Sequence, residues 1–171
     1  MSVNSFSKAC PKNAQLLILG SMPGVASLNA TQYYAHPRNA FWPIMHALFG
    51  INSNDNYETR LQALNQQHIG LWDVLKSCER EGSLDSRIKI ASETPNDLLT
   101  LIEQTPSLNA IAFNGGKAYK SFQRHFLKQH APAFAHLQLF QLPSSSPAMA
   151  SLSLEKKIRA WECLTTALSK P

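Results

Sequence analysis

Short, continuously apolar runs alternate along the chain with longer segments in which apolar residues recur at helical spacing. Short apolar runs bounded by turn-forming residues are typical of buried strands. They predict four strands, at 15–19, 69–74, 110–113 and 137–142. Helical periodicity predicts helices at 40–49, 57–66, 95–104, 117–129 and 154–168. This alternation predicts an α/β fold with a central, mainly parallel four-stranded sheet flanked by helices on both faces.

Two segments, 20–34 and 77–94, show neither period and are predicted to be loops. The first is rich in Gly, Ser, Pro and Asn, and the second is polar and long, as functional loops often are. Pro43 falls in the first turn of its predicted helix, where proline is tolerated, and Ser153 is a good N-cap for the last helix. No repeat or low-complexity linker interrupts the chain, so we expect a single domain over residues 1–171.

Composition narrows the class of protein only a little. The chain has 171 residues, 44% of them apolar, and a formal charge of +5, which is compatible with a polyanionic partner. No run is long enough for a membrane helix, and residues 1–11 do not form a secretion signal. Cys10, Cys78 and Cys163 fit no zinc, iron–sulfur or disulfide spacing, so we expect no metal, no cofactor and a reducing cytoplasm.

Polar segments of small residues follow three of the predicted strands. They are Gly-Ser-Met-Pro-Gly at 20–24, Asn-Gly-Gly at 114–116 and Pro-Ser-Ser-Ser-Pro at 143–147. Each alone could be ordinary turn chemistry. Ligands of parallel sheets bind beyond the carboxyl ends of the strands, so three such segments on one predicted edge favour a single binding site.

Aromatic and basic residues beside these segments suggest contacts with a nucleic acid. Tyr33 or Tyr34 could stack on a base, although either could also belong to the core. Lys117 directly follows the second polar segment and is the better phosphate candidate, whereas Arg124 and Lys128 fit a solvated helix face. His36 is the one histidine in the predicted site, where a hydrogen bond to loop backbone is at least as fitting as proton transfer.

The order of these motifs resembles the uracil-DNA glycosylase superfamily. The paired elements are the turn at 20–24 and the late segment at 143–147, and the resemblance runs from about residue 15 to the last helix. The segment 36–42, His-Pro-Arg-Asn-Ala-Phe-Trp, resembles the mismatch-specific uracil/thymine branch. The Ser-Met-Pro-Gly turn, Gly-Leu-Trp-Asp-Val-Leu at 70–75 and Asn-Gly-Gly-Lys-Ala at 114–118 most resemble the hypoxanthine-DNA glycosylase branch, which removes deaminated adenine.

The resemblance implies a monofunctional DNA N-glycosylase that starts base excision repair. Such an enzyme flips a deaminated base, hypoxanthine first and uracil second, out of double-stranded DNA and hydrolyses its N-glycosidic bond. The implied partner is double-stranded DNA carrying a damaged or mispaired base, and the implied state is a monomer. Three alternatives stay open: a mismatch-specific uracil-DNA glycosylase, a non-catalytic binder of damaged or single-stranded DNA, and an unrelated nucleotide-binding α/β domain.

The resemblance also implies roles for individual residues. Asn39 would position the attacking water or contact the base, since Met22 stands where much of the superfamily carries Asp, Asn or Glu and a thioether is a weak acceptor. Tyr34 would stack on the flipped base and Asn114 would read a base edge. The base pocket would be completed by the first motif, Gly20, Ser21, Met22, Pro23 and Gly24. DNA would be held by Lys117, Ser144, Ser145, Ser146, Pro147, Ala148 and Met149, with Ala148 or Met149 filling the gap in the duplex.

The late motif departs from the family pattern because it contains no histidine to stabilise the departing base. Backbone amides or serine hydroxyls would then have to do so. Asp73 and Asp85 are second-rank candidates, and a strand-end contact and a local cap are the preferred interpretations for them.

Overall fold

The strands of the chain form two sheets. The computed structural model describes residues 1–168, so the last three residues of the predicted 1–171 domain lie outside the described part. The strands within it are β1 Ser2–Asn4, β2 Leu16–Gly20, β3 Ile69–Asp73, β4 Leu75–Glu79, β5 Thr94–Pro95, β6 Ala110–Asn114 and β7 Gln138–Leu142.

The central sheet has four parallel strands, as predicted, and their order is β3-β2-β6-β7. Leu16 of β2 is in register with Ile69 of β3 and Ala110 of β6. All five residues of β2 and all five of β6 are buried. Strands that are covered on both faces read as continuous apolar runs, which is why the sequence identified them.

Helices cover both faces of this sheet. They are α1 Val25–Ala30, α2 Phe41–Phe49, α3 Tyr57–Gln66, α4 Leu98–Glu103, α5 Gly116–Phe122, α6 Lys128–Phe134 and α7 Leu154–Trp161. Leu17 and Leu19 point into one apolar cluster, whereas Leu16 and Ile18 point into the other. Alternate side chains of β2 therefore pack into two apolar cores, one on each face of the sheet. The prediction of helices on both faces is confirmed.

The caps explain several helix boundaries. Asn56 Oδ1 accepts a hydrogen bond from Thr59 N at 2.9 Å and starts α3. Ser153 Oγ accepts one from Lys156 N at 3.3 Å, as expected for the last helix. Asp97 Oδ1 accepts one from Thr100 N, so the helix predicted over 95–104 begins only at Leu98. No helix among residues 1–168 is long and apolar enough to cross a membrane.

Two predicted loops contain regular structure, and two predicted helices are divided. The 20–34 loop contains α1. The 77–94 segment contains most of β4, two 3₁₀ turns at Asp85–Arg87 and Ile90–Ser92, and the start of β5. A π-helical turn, Gln123–Leu127, joins α5 to α6, and α7 continues as a 3₁₀ turn. The strand β4 pairs with β1 and β5, which do not adjoin it in the sequence. Local sequence patterns therefore do not predict this second sheet.

Candidate active site

A cavity of about 380 Å³ opens at the carboxyl ends of β2, β3 and β6. This is the sheet edge at which the three polar segments led us to expect a binding site. Every predicted site residue except Lys117 lines it: Gly20, Ser21, Met22, Pro23, Gly24, Tyr34, Asn39, Asn114, Ser144, Ser145, Ser146, Pro147, Ala148 and Met149. Three regions that are distant in sequence, 20–39, Asn114 and 144–149, therefore form one site, to which Asp73 and the segment 83–86 also contribute.

The turn at 20–24 is held from behind by a buried arginine. Arg80 is 2% exposed, and its guanidinium donates hydrogen bonds to the carbonyl oxygens of Pro23 at 2.5 Å and Met22 at 3.4 Å. Its Nε donates to Gly82 O at 2.8 Å. The carbonyl oxygens of residues 22 and 23 are thus already bonded, and Arg80 joins the turn to the 77–94 segment.

Gly20 allows a carboxylate to approach the end of β2. A Cβ built on Gly20 would lie only 2.6 Å from Asp73 Oδ1, closer than real side chains approach. Glycine is required here because the Asp73 carboxylate fills the space that a side chain would need. Met22, also on the cavity wall, packs into the apolar core and is 6% exposed.

The two adjacent tyrosines have different environments. Tyr33 is 4% exposed, packs edge-on against Phe6 and donates from its hydroxyl to Ser7 O at 3.2 Å, which places it in the core. Tyr34 stacks on Phe41 with ring centroids 3.9 Å apart and has a left-handed backbone, with φ of 58°. Its buried Oη makes no hydrogen bond within residues 1–168. Burial and the neighbouring Asp73 raise the pKa of Tyr34.

Asn39 sits at the start of α2 and joins it to the cavity. Its Oδ1 accepts a hydrogen bond from Phe41 N at 2.9 Å, which leaves the second lone pair of that oxygen and the Nδ2 group for other partners. His36 Nδ1 accepts from Arg38 N at 3.1 Å, the loop-backbone contact expected for this histidine. Ala40 N donates to Ser145 O at 2.9 Å and connects this segment to the late motif.

Asn114 and Ser145 form a closed pair on the cavity floor. Asn114 Nδ2 donates to Ser145 Oγ at 2.8 Å, and Asn114 Oδ1 accepts from Ser145 N at 2.8 Å. Asn114 is 7% exposed and Ser145 is 1% exposed. The amide that was expected to read a base edge thus uses both of its groups to hold the late motif, and Ser145 is not an open phosphate contact.

The late segment is also fixed by the last helix. Trp161 Nε1 donates to Pro143 O at 3.0 Å, and Lys157 Nζ donates to Ser146 O at 3.2 Å. Lys157 is 5% exposed, and burial lowers its pKa. This lysine was missed because a charged residue is expected on the solvated face. Its i, i+4 spacing from buried Trp161 was the available signal.

Lys117 does not line the cavity, contrary to the expectation of a phosphate contact. Its ammonium group pairs with Glu93, which also accepts from Arg124 Nη1 at 2.8 Å and lies 2.8 Å from His125 Nε2. Arg124 was expected on a solvated face and is instead part of this cluster. The Glu93 side chain is completely buried. Glu93 lies in a segment that was predicted to be a loop. Its carboxylate therefore pairs with the basic side chains of α5 and of the π-helical turn.

Two carboxyl groups that were second-rank candidates in the sequence, Asp73 and Asp85, line the cavity. Asp73 is 3% exposed, and its Oδ2 accepts from Ser5 Oγ at 2.7 Å. Burial raises the pKa of Asp73 to about 7, against the opposing effect of the Ser5 hydrogen bond. Asp85 Oδ1 accepts from Ser21 Oγ at 2.7 Å, and burial raises its pKa as well. The signal for Asp73 was its position directly at the end of β3, beside Gly20.

The arrangement combines an apolar stacking surface with polar groups and a protonatable acid. Tyr34 supplies the ring, Asn39 supplies an amide, and Asp73 supplies a carboxyl group, and all three line the cavity. Such a site can hold a planar heterocycle and exchange a proton with it. Among the described residues, no group of His, Cys, Asp and Glu is placed to hold a metal ion.

Comparisons with known proteins agree with this geometry. The family model of the Uracil DNA glycosylase superfamily matches residues 6–165. Two relatives, each named Hypoxanthine DNA glycosylase, come from Methanosarcina barkeri and Methanosarcina acetivorans. They are 40% and 44% identical over 119 residues, which is 69% of this chain and 74% of each relative.

A solved structure also shares the fold. It is the solution NMR structure of a candidate uracil DNA glycosylase from Methanosarcina acetivorans, with a TM-score of 0.79 and 36% identity. The alignment covers 96% of this chain and 97% of that one. The family match spans nearly the whole domain and includes every segment that lines the cavity. The chain therefore belongs to the uracil DNA glycosylase superfamily.

Proposed function

We propose that this protein is a monofunctional DNA N-glycosylase that removes hypoxanthine from double-stranded DNA and so starts base excision repair. The observation that carries the proposal is the cavity at the sheet edge, which brings Tyr34, Asn39 and the 20–24 turn to one place. Two relatives of 40% and 44% identity carry the name Hypoxanthine DNA glycosylase. The substrate is DNA with a damaged or mispaired base, because such a base costs less to extrude from the duplex.

The reaction breaks the bond between C1′ of the deoxyribose and the base, and water supplies the new C1′ oxygen. In the proposed complex, the flipped base lies on the Tyr34 ring, whose other face is covered by Phe41. Asn39 holds the attacking water through the lone pair of Oδ1 that Phe41 N leaves unused. An amide oxygen orients water but does not take its proton, so the rate depends strongly on how readily the base departs.

The rim of the cavity is proposed to hold the DNA backbone. Ser144, Ser146 and the backbone of 147–149 are the open part of the late segment, since Ser145 is buried by Asn114. Ala148 is exposed and small, and we assign the wedge that fills the vacated position in the duplex to the neighbouring Met149. The role of Asn114 is revised from base reading to fixing this segment.

The proposal extends to the domain organisation, the oligomeric state and the cellular compartment of the protein. We infer one catalytic domain, which the family match over residues 6–165 supports, and we propose that it acts as a monomer. The free thiols of Cys10, Cys78 and Cys163 fit a reducing compartment, for which we propose the cytoplasm.

The first experiment measures base release from duplexes that carry a single inosine, uracil or xanthine. We expect wild-type protein to release hypoxanthine and Asn39→Ala to lower the single-turnover rate by about 10²–10³-fold, the usual effect of removing one oriented polar group. Asn56→Ala is the matched control. Asn56 Oδ1 likewise accepts a backbone N–H hydrogen bond at the start of a helix, α3, so both variants lose a similar stability of about 1 kcal/mol while only one loses activity.

A uracil-specific enzyme is the second candidate, because the structural relative from Methanosarcina acetivorans is a candidate uracil DNA glycosylase. Release of uracil without hypoxanthine would select it. Specific binding to these duplexes or to single strands without any base release would instead select a DNA-binding protein. Buried Met22 in the first motif would then mark the lost chemistry. Tight binding of free nucleotide without DNA would remove the protein from DNA repair altogether.

A further inference from the structure

The cavity contains a carboxyl group that the proposed water-positioning role of Asn39 does not use. Asp73 ends β3, next to Gly20 at the end of β2, and lines the cavity. One carboxylate oxygen, Oδ2, accepts from Ser5 Oγ at 2.7 Å. The other, Oδ1, occupies the space beside Gly20 and makes no hydrogen bond to any residue of 1–168. Asp73 therefore has one tethered oxygen and one unpaired oxygen.

We propose that Asp73, in its protonated form, is the general acid that donates a proton to a ring nitrogen of the departing hypoxanthine. This inference rests on the proposed glycosylase function and adds a catalytic residue to it. Loss of the base leaves an electron pair on the purine, which is a poor leaving group as an anion. The late motif supplies no histidine for that charge, and the Asn114 amide is bonded to Ser145 through both its nitrogen and its oxygen. Two carboxyl groups line the cavity, Asp73 and Asp85, and Asp73 is the more deeply buried of the two.

Proton transfer from Asp73 accompanies cleavage of the glycosidic bond. The bond from C1′ to the base nitrogen breaks, and its electron pair stays on the purine, while the Asp73 proton moves to a ring nitrogen of the same purine. Water adds to C1′ and gives one proton to solvent. Asp73 is left as a carboxylate and takes one proton from solvent before the next turnover, so the products are an abasic sugar and neutral hypoxanthine.

The surroundings explain why Asp73 can carry a proton near neutral pH. The charged and titratable groups that act on it are Asp85, Arg80, Tyr33 and Tyr34. Burial is the largest effect and raises the pKa of Asp73 to about 7; Asp85 raises it further, and Arg80 lowers it. Burial and nearby negative charge keep both tyrosines uncharged. An acid whose pKa lies near the working pH is half protonated and still a good donor.

The test is the pH dependence of single-turnover hypoxanthine release by the full chain between pH 5.5 and 9. For the wild-type protein we expect a plateau at low pH and a fall of tenfold per pH unit above about pH 7, because only the protonated acid acts. Asp73→Asn keeps the shape and a hydrogen-bond donor but has no proton to give. We expect it to be about 10²-fold slower at pH 6, with a flat profile above that pH.

Two controls separate chemistry from structure. Asp97→Asn changes an exposed helix cap that is not part of the cavity lining and should keep the wild-type rate and profile. His36→Gln removes the imidazole on the cavity wall and should leave the position of the alkaline limb unchanged. Binding of Asp73→Asn to a duplex with non-cleavable 2′-fluorodeoxyinosine should stay within a few-fold of wild type, since the acid acts on the departing base.

The outcomes are distinct. A wild-type rate that rises with pH through 7 would make Asp73 a base or an electrostatic stabiliser, and a flat wild-type profile would remove it from the chemistry. Either result overturns the assignment without the use of any variant, even if Asp73→Asn fails to fold. No release of hypoxanthine by the wild-type protein at any pH would contradict the proposed function itself, a different result from a wrong profile.

Discussion

Two buried carboxyl groups in this molecule, Glu93 and Asp73, have opposite electrostatic environments. The Glu93 side chain is completely buried but is surrounded by Lys117, Arg124 and His125. Burial alone would raise its pKa, yet hydrogen bonds from Lys117 and His125 and the charges of Lys117 and Arg124 hold that pKa below its usual range. Asp73 is similarly buried, accepts one neutral hydrogen bond from Ser5, and has its pKa raised to about 7.

The difference shows how one fold separates a structural carboxylate from a reactive one. A buried charge is tolerated when paired cations replace the lost water, and such a group stays ionised over the working pH range. A buried carboxyl group without a bonded cation instead becomes protonatable near neutral pH, which is the condition for acid–base chemistry. Glu93 lies outside the cavity lining, whereas Asp73 is part of it.

Glu93 nevertheless serves the site indirectly. It belongs to the 77–94 segment, of which residues 83–86 line the cavity, and its partners lie on α5 and the π-helical turn. The ion-pair cluster therefore fastens this segment to the helices that follow β6. Arg80 performs the same task at the other end, since it bonds to the carbonyl oxygens of Met22, Pro23 and Gly82.

The largest expected effect is on stability, from Glu93→Gln. The variant keeps the side-chain shape but leaves Lys117 and Arg124 without a buried partner charge, so we expect a loss of about 3–5 kcal/mol in the free energy of unfolding at pH 7. Urea denaturation measures it. Glu155→Gln is the control, because the exposed Glu155–Arg159 pair is worth about 0.3–0.5 kcal/mol. Equal effects of the two variants would contradict the structural role of the cluster.

A second measurement tests the opposite sign for Asp73. A folded-state pKa raised above the unfolded value means that the contribution of Asp73 to stability is fully present below about pH 4. It is lost progressively as the pH rises to about 7. Asp73→Asn cannot ionise, so we expect it to be more stable than wild type at pH 8 by at least about 1 kcal/mol. The advantage should be absent at pH 4, as urea denaturation at both pH values would show.

The smallest expected effect comes from Ser5→Ala, which removes the hydrogen bond that favours the ionised form of Asp73. The pKa of Asp73 should rise further, and the alkaline limb of hypoxanthine release should move upward by about 0.5–1 pH unit. The low-pH rate should change little. Ser7→Ala is the control, since Ser7 contacts Tyr33 only through its backbone oxygen. A shift of the limb to lower pH would contradict the role assigned to Ser5.

The sequence was sufficient for features that depend on local patterns. The four central strands are short apolar runs, α3 has the predicted bounds 57–66, and Ser153 caps the last helix. The prediction that three polar segments share one sheet edge is confirmed by the cavity, because the ends of adjacent parallel strands must lie together. Family membership was also recognisable, since it depends on the order and spacing of motifs.

The partner of each polar side chain was decided only by the tertiary structure. Lys117 follows the Asn-Gly-Gly segment, yet its charge is used by Glu93 from a segment that looked like a loop. Asn114 is at the predicted edge, yet Ser145 takes both groups of its amide. The chain alone determined which residues reach the site edge, because periodicity and turn chemistry are local. Packing decided which of them bond to one another and which, like Asp73, keep one oxygen without a hydrogen bond. Burial and charge pairing are set by contacts between residues far apart in the chain.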